Sequence, residues 1–225
     1  MSGGPTPTHP HTHTRKANVE SFEQIAARLR GGLELTNDAR EKALKLCREV
    51  IRLSSRSIRA VHRLEFAESK RLLDDTRALV DEVKETLADH PGLFFAGYVH
   101  DSQKEYVEAA AMYSIVREEG LPTPDSLGVM PAAYLNGLAE AGSECRRYVL
   151  DRLRVGEMDG ADRVLKVMDD IYYELITFDF PDAITGGLRR TTDAFRAVLE
   201  RTRGDLTLTF QQKALEEALK QHSKA

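Results

Sequence analysis

The chain has 225 residues, of which 41% are apolar and 30% are charged, and its net charge is −4. This composition is typical of a globular protein with a sizeable core and excludes a chain that is disordered throughout. It contains no apolar run of about 18 residues and no apolar N-terminal segment, so we predict neither a transmembrane helix nor a signal peptide. We therefore expect a cytosolic protein that does not interact with membranes.

The first segment, residues 1–17, is rich in Pro, Thr and Gly and has no helical period of apolar residues. This composition predicts a disordered, solvated tail. The alternating histidines His9, His11 and His13 could bind a metal ion adventitiously, but a flexible polar tail is the favoured interpretation.

From residue 18 to residue 225 nearly every segment has the apolar period of a helix, and no alternating strand pattern competes with it. Helix-start residues recur at Ser21, Asn37 and Asp182, and Gly and Pro cluster at only a few positions. We therefore predict one all-α domain of about seven helices, with segments at 19–34, 37–64, 65–89, 93–119, 131–155, 159–178 with 184–203, and 207–222.

The predicted helix 37–64 carries seven basic and two acidic residues between Glu41 and Arg63. At 100° per residue, six of the cations fall within a sector of about 80°. Arginine's planar fork suits contacts with phosphate oxygens, although a charge run is also typical of a solvated face paired with acids of a neighbouring helix. Both interpretations stay open for this basic stripe, whose members are Lys45, Arg48, Arg52, Arg56, Arg59 and Arg63.

Two apolar helices each contain an isolated pair of carboxylates. Glu105 and Glu108 are spaced i, i+3 within the segment EYVEAAAMYSIV, and Glu140 and Glu144 are spaced i, i+4 within YLNGLAEAGSEC. Buried carboxylates need cations or hydrogen bonds, so two facing pairs would form an oxygen-rich site for Mg²⁺ or Mn²⁺. A structural network with neighbouring arginines is the alternative, and spacing alone does not decide between them.

Several other chemistries are excluded by the motifs. No Glu has a His at i+3, which rejects a di-iron bundle, and neither a P-loop nor a GxSxG elbow is present. Cys47 and Cys145 lie far apart inside predicted helices, which favours packed thiols over a disulfide or a zinc site. His100, near the first acid pair, could orient a ligand or move a proton, but a structural role is favoured.

Four segments together resemble the translin family. They are residues 41–66, 104–116, 128–153 and 176–209, and the resemblance extends over about residues 19–222. EYVEA and the pattern YLxGLAExxxE are its most specific parts. The chain looks closer to translin-associated factor X and its prokaryotic relatives than to translin itself.

This resemblance implies a seven-helix fold that assembles into a closed, hollow oligomer, commonly an octamer, which binds single-stranded RNA or DNA on its inner wall. The factor X type subunit is a Mg²⁺-dependent endoribonuclease, so the resemblance implies catalytic roles for Glu105, Glu108 and Glu140. Glu144 occupies a further metal-binding position, Mn²⁺ is an alternative ion, and the basic stripe would bind RNA. The eukaryotic nuclease subunit commonly has Asp where this chain has Glu140.

The four acids and the basic stripe occur in one polypeptide, so the resemblance implies a homo-oligomer that both binds and cuts RNA. The main alternative is a non-catalytic binder of single-stranded RNA or DNA of the translin type, in which the acids hold subunits together. A helical scaffold without nucleic acid is the third possibility, and the spacing of the arginines argues against it.

Overall fold

A computed structural model describes residues 21–223, so the predicted tail at 1–17 lies outside the described residues. The described part is all-α and contains no strand, which confirms the predicted fold class. Six long helices are joined by loops that include three single-turn helices. In chain order the helices are α1 (Phe22–His62), α2 (Phe66–Thr86), α3 (Pro91–Phe94), α4 (Gly97–Arg117), α5 (Pro124–Leu127), α6 (Pro131–Arg154), α7 (Met158–Leu175), α8 (Asp182–Thr185) and α9 (Leu188–His222).

The chain divides into two units at Asp38. The described part of the first unit is the N-terminal portion of α1, where apolar side chains such as Leu29 and Leu33 are exposed. The second unit, from Ala39 onward, contains the remaining helices and both core clusters. All sites described below lie in the second unit.

Two predicted helix breaks are wrong. The predicted segments 19–34 and 37–64 are one continuous helix through Asn37, and the predicted segments 184–203 and 207–222 join through Gly204. Both residues are exposed, and an exposed Asn or Gly in a helix costs only about 0.7 to 1 kcal/mol relative to Ala. Starting a second helix costs more than extending the first, because nucleation fixes several residues for one hydrogen bond.

The core of the second unit is built around α6, which packs against α4, α7 and α9. Two glycines of α6 permit this close packing. A Cβ at Gly137 would lie 2.7 Å from the carbonyl oxygen of Lys104 on α4, and a Cβ at Gly142 would collide with the ring of Phe195 on α9. The glycines therefore set how closely α6 approaches its two neighbours.

Cys47 and Cys145 are free and buried, which confirms the prediction of packed thiols. Burial raises the pKa of both thiols. Neither side chain is therefore a reactive thiolate at neutral pH. Among residues 21–223, no helix is long and apolar enough to cross a membrane.

Candidate metal centre and nucleic-acid interface

The central part of α4 is buried on all sides, since the consecutive residues 109–112 are all inaccessible to solvent. Acids on this helix therefore lie at a helix–helix contact rather than in open water. The close approach of Lys104 to Gly137 brings the next turn of α6, which carries Glu140, against the acids of α4. The α4–α6 packing thus produces the candidate site.

Three of the four predicted carboxylates come together there. Glu105, Glu108 and Glu140 each offer one carboxylate oxygen, and these oxygens all lie within 4.8 Å of one another. All three side chains are partly buried. We call this cluster the carboxylate triad.

One ammonium group contacts the triad directly. Lys104 Nζ donates a hydrogen bond to Glu140 Oε1 at 2.8 Å, and the two side chains are 21% and 30% exposed. Burial lowers the pKa of Lys104, but the hydrogen bond and the charge of Glu140 raise it above its ordinary value on balance. Lys104 is therefore charged and neutralises one of the three acids.

The two glutamates that α4 contributes to the triad both have raised pKa values. Burial first, and then the charge of Glu140, raise the pKa of Glu105. Burial and the charges of neighbouring glutamates raise the pKa of Glu108 to about 8. At neutral pH the metal-free site therefore retains a proton that a bound cation would displace.

Glu144, the fourth predicted ligand, has a different partner. Its Oε1 lies 2.6 Å from Nε2 of His62, the last residue of α1, and the imidazole is only 3% exposed. The Nδ1 atom of His62 is buried without a hydrogen-bond partner among residues 21–223. Glu144 therefore lies beside the triad, close enough for its charge to act on Glu108, but is held by α1.

His100 does not reach the carboxylates. Its Nε2 atom is buried against Gly186, where a Cβ would lie only 2.8 Å away, and Gly186 has a φ of +62°. Glycine is needed at this turn both for the close approach and for the backbone conformation. The structure favours the structural role of His100.

The basic stripe lies along α1, and five of its six members are exposed while Arg56 is partly buried. Three of them make ion pairs. Arg52 pairs with Glu49 and Arg63 with Glu65, and a Glu68 oxygen lies 3.6 Å from Arg56. Exposed pairs of this kind are screened by water and salt, so they do not hold the arginines firmly.

The other three members of the stripe are Lys45, Arg48 and Arg59. No carboxylate among residues 21–223 lies within ion-pair distance of any of them. The alternative interpretation, a solvated face paired with neighbouring acids, is confirmed in part. Of its candidate acids, Glu65 and Glu68 pair with the stripe, whereas Asp74 and Asp75 pair with lysine and arginine side chains of α2 itself. The stripe therefore keeps open cationic groups on its outer face.

Sequence reasoning missed two residues of the site, Lys104 and His62. Lys104 directly precedes Glu105, so a search for cations beside the acids would have found it, but its partner Glu140 is 36 positions away. His62 is 82 positions from Glu144, and no local pattern relates them. A cavity of about 970 Å³, lined in part by Phe178, lies at the α7–α9 connection and includes none of the triad residues.

No family model matches the chain. An uncharacterized protein of Methanocaldococcus jannaschii is 32% identical over 187 residues, covering 82% of this chain and 82% of that protein. The structure of AfC3PO in complex with duplex RNA has a TM-score of 0.79 and 34% identity, and covers 84% of this chain and 98% of that chain. A crystal structure of AfC3PO gives a TM-score of 0.78 with the same identity, covering 84% of this chain and 99% of that chain. Apo-NeC3PO, 18% identical, has a TM-score of 0.75, covers 84% of this chain and 99% of that chain, and shares the fold.

Proposed function

Because the chain belongs to the C3PO family of translin-type proteins, we propose that it binds single-stranded RNA and cleaves it in the presence of Mg²⁺. The observation that carries this proposal is the carboxylate triad of Glu105, Glu108 and Glu140, whose oxygens lie within 4.8 Å of one another. The same residues support a likeness to translin-associated factor X, the nuclease type of subunit.

The donor set fits a hard divalent ion. Mg²⁺ and Mn²⁺ prefer carboxylate oxygens, and the triad supplies them from two helices that are fixed by the core. Glu105, Glu108 and Glu140 would hold the ion, and Glu144, oriented by His62, stands beside them as a further ligand. When bound, such an ion activates water and stabilises negative charge on a phosphate.

The chain's own residues prepare this site. The partial burial of Glu108 keeps its carboxyl protonated when the site is metal-free, which limits the charge repulsion in the triad. Lys104 neutralises Glu140, and its ammonium group would also attract a phosphate that approaches the triad. Because water rather than the ribose 2′-hydroxyl is the nucleophile, we expect no 2′,3′-cyclic phosphate. Water adds to phosphorus as the bond to the 3′ oxygen breaks, so we expect products with a 5′-phosphate and a 3′-hydroxyl.

The unpaired cations of the basic stripe support RNA binding. AfC3PO has been solved with duplex RNA, and the stripe offers Lys45, Arg48 and Arg59 to phosphates without first breaking an ion pair. Phosphate contacts carry no sequence information, so we expect binding to RNA, and to single-stranded DNA, without sequence specificity. Binding should weaken steeply with salt.

We further propose that the protein acts as a closed homo-oligomer, with an octamer as the expected form. Large apolar side chains near the end of α9 are highly exposed, with Leu208, Leu215 and Leu219 at 59% to 60%. Exposed apolar surface of this kind is typical of contacts between protein chains. A second copy of the chain would cover them.

The decisive experiment incubates the full-length protein with end-labelled single-stranded RNA in Mg²⁺ or in EDTA, beside the Glu108→Gln variant. We expect fragments in Mg²⁺ only, and a loss of at least about 100-fold in rate for Glu108→Gln, because removal of one ligand charge weakens both ion binding and charge stabilisation. The matched control is Glu85→Gln, an exposed glutamate of α2 outside the site, which should cleave like the wild type.

RNA that is bound but not cut under either condition would favour the alternative, a non-catalytic translin-type binder. A Glu108→Gln protein that dissociates into smaller species would mean that the acids join subunits. If RNA is not retained at all, even at low salt, the result would contradict the proposed function. It would favour the third possibility, a helical scaffold that binds no nucleic acid.

A further inference from the structure

A groove runs along the C-terminal half of α6, beyond the carboxylate triad. It consists of two adjoining cavities of about 420 Å³ and 290 Å³, which share Asp151 and Arg154. We call it the α6 groove, and its lining residues are Ser143, Arg146, Arg147, Leu150, Asp151 and Arg154 in the first cavity, with His62, Arg152 and Val155 added in the second.

The groove lies near the candidate metal centre, and His62 relates the two. His62, which lines its second cavity, is the residue that contacts Glu144. On α6 itself, Glu140, Arg147 and Arg154 are spaced by seven residues, so all three lie on the same side of the helix. At 1.5 Å per residue, about 10 Å along the helix axis separates each from the next, and a chain of phosphates leaving the triad would pass both arginines.

Two arginines of the groove are open to a ligand. Arg146 already pairs with Asp205 at 2.8 Å, and Arg152 with Glu157 at 3.0 Å. Arg147, in contrast, is exposed and has no carboxylate within ion-pair distance among residues 21–223. Arg154 is 82% exposed and has only a long contact of 3.5 Å with Asp151.

Two exposed arginines near the metal centre form a positively charged surface that attracts anions, and the anion that the proposed function supplies is a phosphodiester. Guanidinium groups bind phosphate oxygens through two parallel hydrogen bonds, and two arginines about 10 Å apart along the helix can each bind a different phosphate of one strand. We propose that the α6 groove holds the RNA strand on one side of the scissile phosphate, with Arg147 and Arg154 each binding one backbone phosphate. This inference rests on the proposed function and adds to it a substrate path separate from the basic stripe on α1.

The test measures RNA affinity by fluorescence anisotropy in EDTA, where the strand stays intact, at increasing KCl concentrations. For Arg147→Gln, Arg154→Gln and the double variant we expect weaker binding, and a slope of log affinity against log salt that falls by about 0.7 for each arginine removed. The matched control is Arg190→Gln, an exposed arginine in the first turn of α9, at the end of α6 remote from the groove. Arg147→Lys, which keeps the charge, should retain the wild-type slope.

The outcomes separate this inference from the proposed function. If the wild type binds RNA and the double variant has the same slope, the groove does not hold RNA, while the proposed function stands. If the double variant changes the sedimentation coefficient of the protein, the groove is a contact between copies of the chain and our assignment is wrong. If the wild type itself fails to bind RNA, both proposals fall.

Discussion

The balance of charge at the triad depends on single residues. Three carboxylates meet one ammonium group, and burial makes each uncompensated charge expensive. Glu108 meets this cost by keeping its proton, and Glu140 by binding Lys104. A divalent ion would therefore compete with a proton at one carboxyl and with a lysine at another.

Replacing Lys104 should change the affinity for metal. In Lys104→Met we expect Mn²⁺ to bind several-fold more tightly than in the wild type, because the ammonium group no longer competes for Glu140. The measurement is a titration followed by electron paramagnetic resonance without RNA. Lys166→Met, which removes an exposed lysine paired with Asp162 on α7, is the control and should leave the affinity unchanged. Equal affinities in wild type and Lys104→Met would show that Lys104 does not compete with the ion.

The raised pKa of Glu108 predicts how stability depends on pH. The folded carboxyl titrates near 8 and the unfolded one near its ordinary 4.5, so this group's contribution to stability is complete below pH 4.5 and is lost as the pH rises through about 8. In EDTA we expect the Tm of the wild type to fall across this range, and to fall less in Glu108→Gln. Differential scanning calorimetry measures both, and the Glu85→Gln control should follow the wild type. Parallel curves for wild type and Glu108→Gln would contradict the shift.

Site residues that lie close together along the chain were predictable from the sequence, whereas contacts between residues far apart along the chain were not. The spacing of the acids within α4 and within α6 is a local property, so all four glutamates could be selected as candidates, and three of them come together in the structure. The pairing of Lys104 with Glu140, and of His62 with Glu144, depends on how separate helices pack. No periodicity of one helix contains that information.

Helix existence and type were predictable for α1, α2, α6 and α7, because apolar residues recur there with a period of 3.6 residues. The central part of α4 is apolar on all sides, so its helical type rested on length and the absence of a strand pattern. Helix boundaries were harder, as at Asn37 and Gly204. Both residue types are common at helix ends, but an exposed position inside a long helix tolerates either of them at small cost. Extending the helix through them costs less than starting a second one.

Gly142 of α6 and Gly204 of α9 should change the stability of the protein in opposite directions when each is replaced by alanine. Gly142→Ala should destabilise the protein by about 1 to 3 kcal/mol, because the added methyl group collides with the buried ring of Phe195. Gly204→Ala meets no atom within 4 Å and should stabilise the protein by about 0.5 to 1 kcal/mol. Urea unfolding followed by circular dichroism measures both. A neutral Gly142→Ala would mean that α6 and α9 can separate at little cost.

At the scale of the whole molecule, charge is divided unequally. The net charge is −4, yet the basic stripe and the α6 groove present open arginines. A protein of this overall charge repels nucleic acid in general, so the proposed RNA binding would depend on these local surfaces. The composition alone gave no indication of a nucleic-acid partner, whereas the distribution of charge along the helices suggested one.

The exposed leucines of α9 indicate where copies of the chain would contact each other in the proposed oligomer. Leu215→Glu should shift the protein to smaller species in sedimentation velocity, because a charge at this apolar position opposes contact with a second copy. Gln221→Glu adds the same charge on a different side of the same helix and should leave the distribution unchanged. An unchanged oligomer in Leu215→Glu would place the contact between copies elsewhere.

The close approach of α6 to α4 at Gly137 affects how relatives of this chain should be interpreted. A larger residue at this position would move α6 away from the carbonyl of Lys104 and separate Glu140 from the acids of α4, although all four acids would remain in the sequence. A search that checks only the acids would then retain such a relative as a candidate for the proposed cleavage. If the triad carries that cleavage, the glycine one turn before the third acid is as informative about activity as the acids themselves, and loss of catalysis can begin with a residue that carries no chemistry.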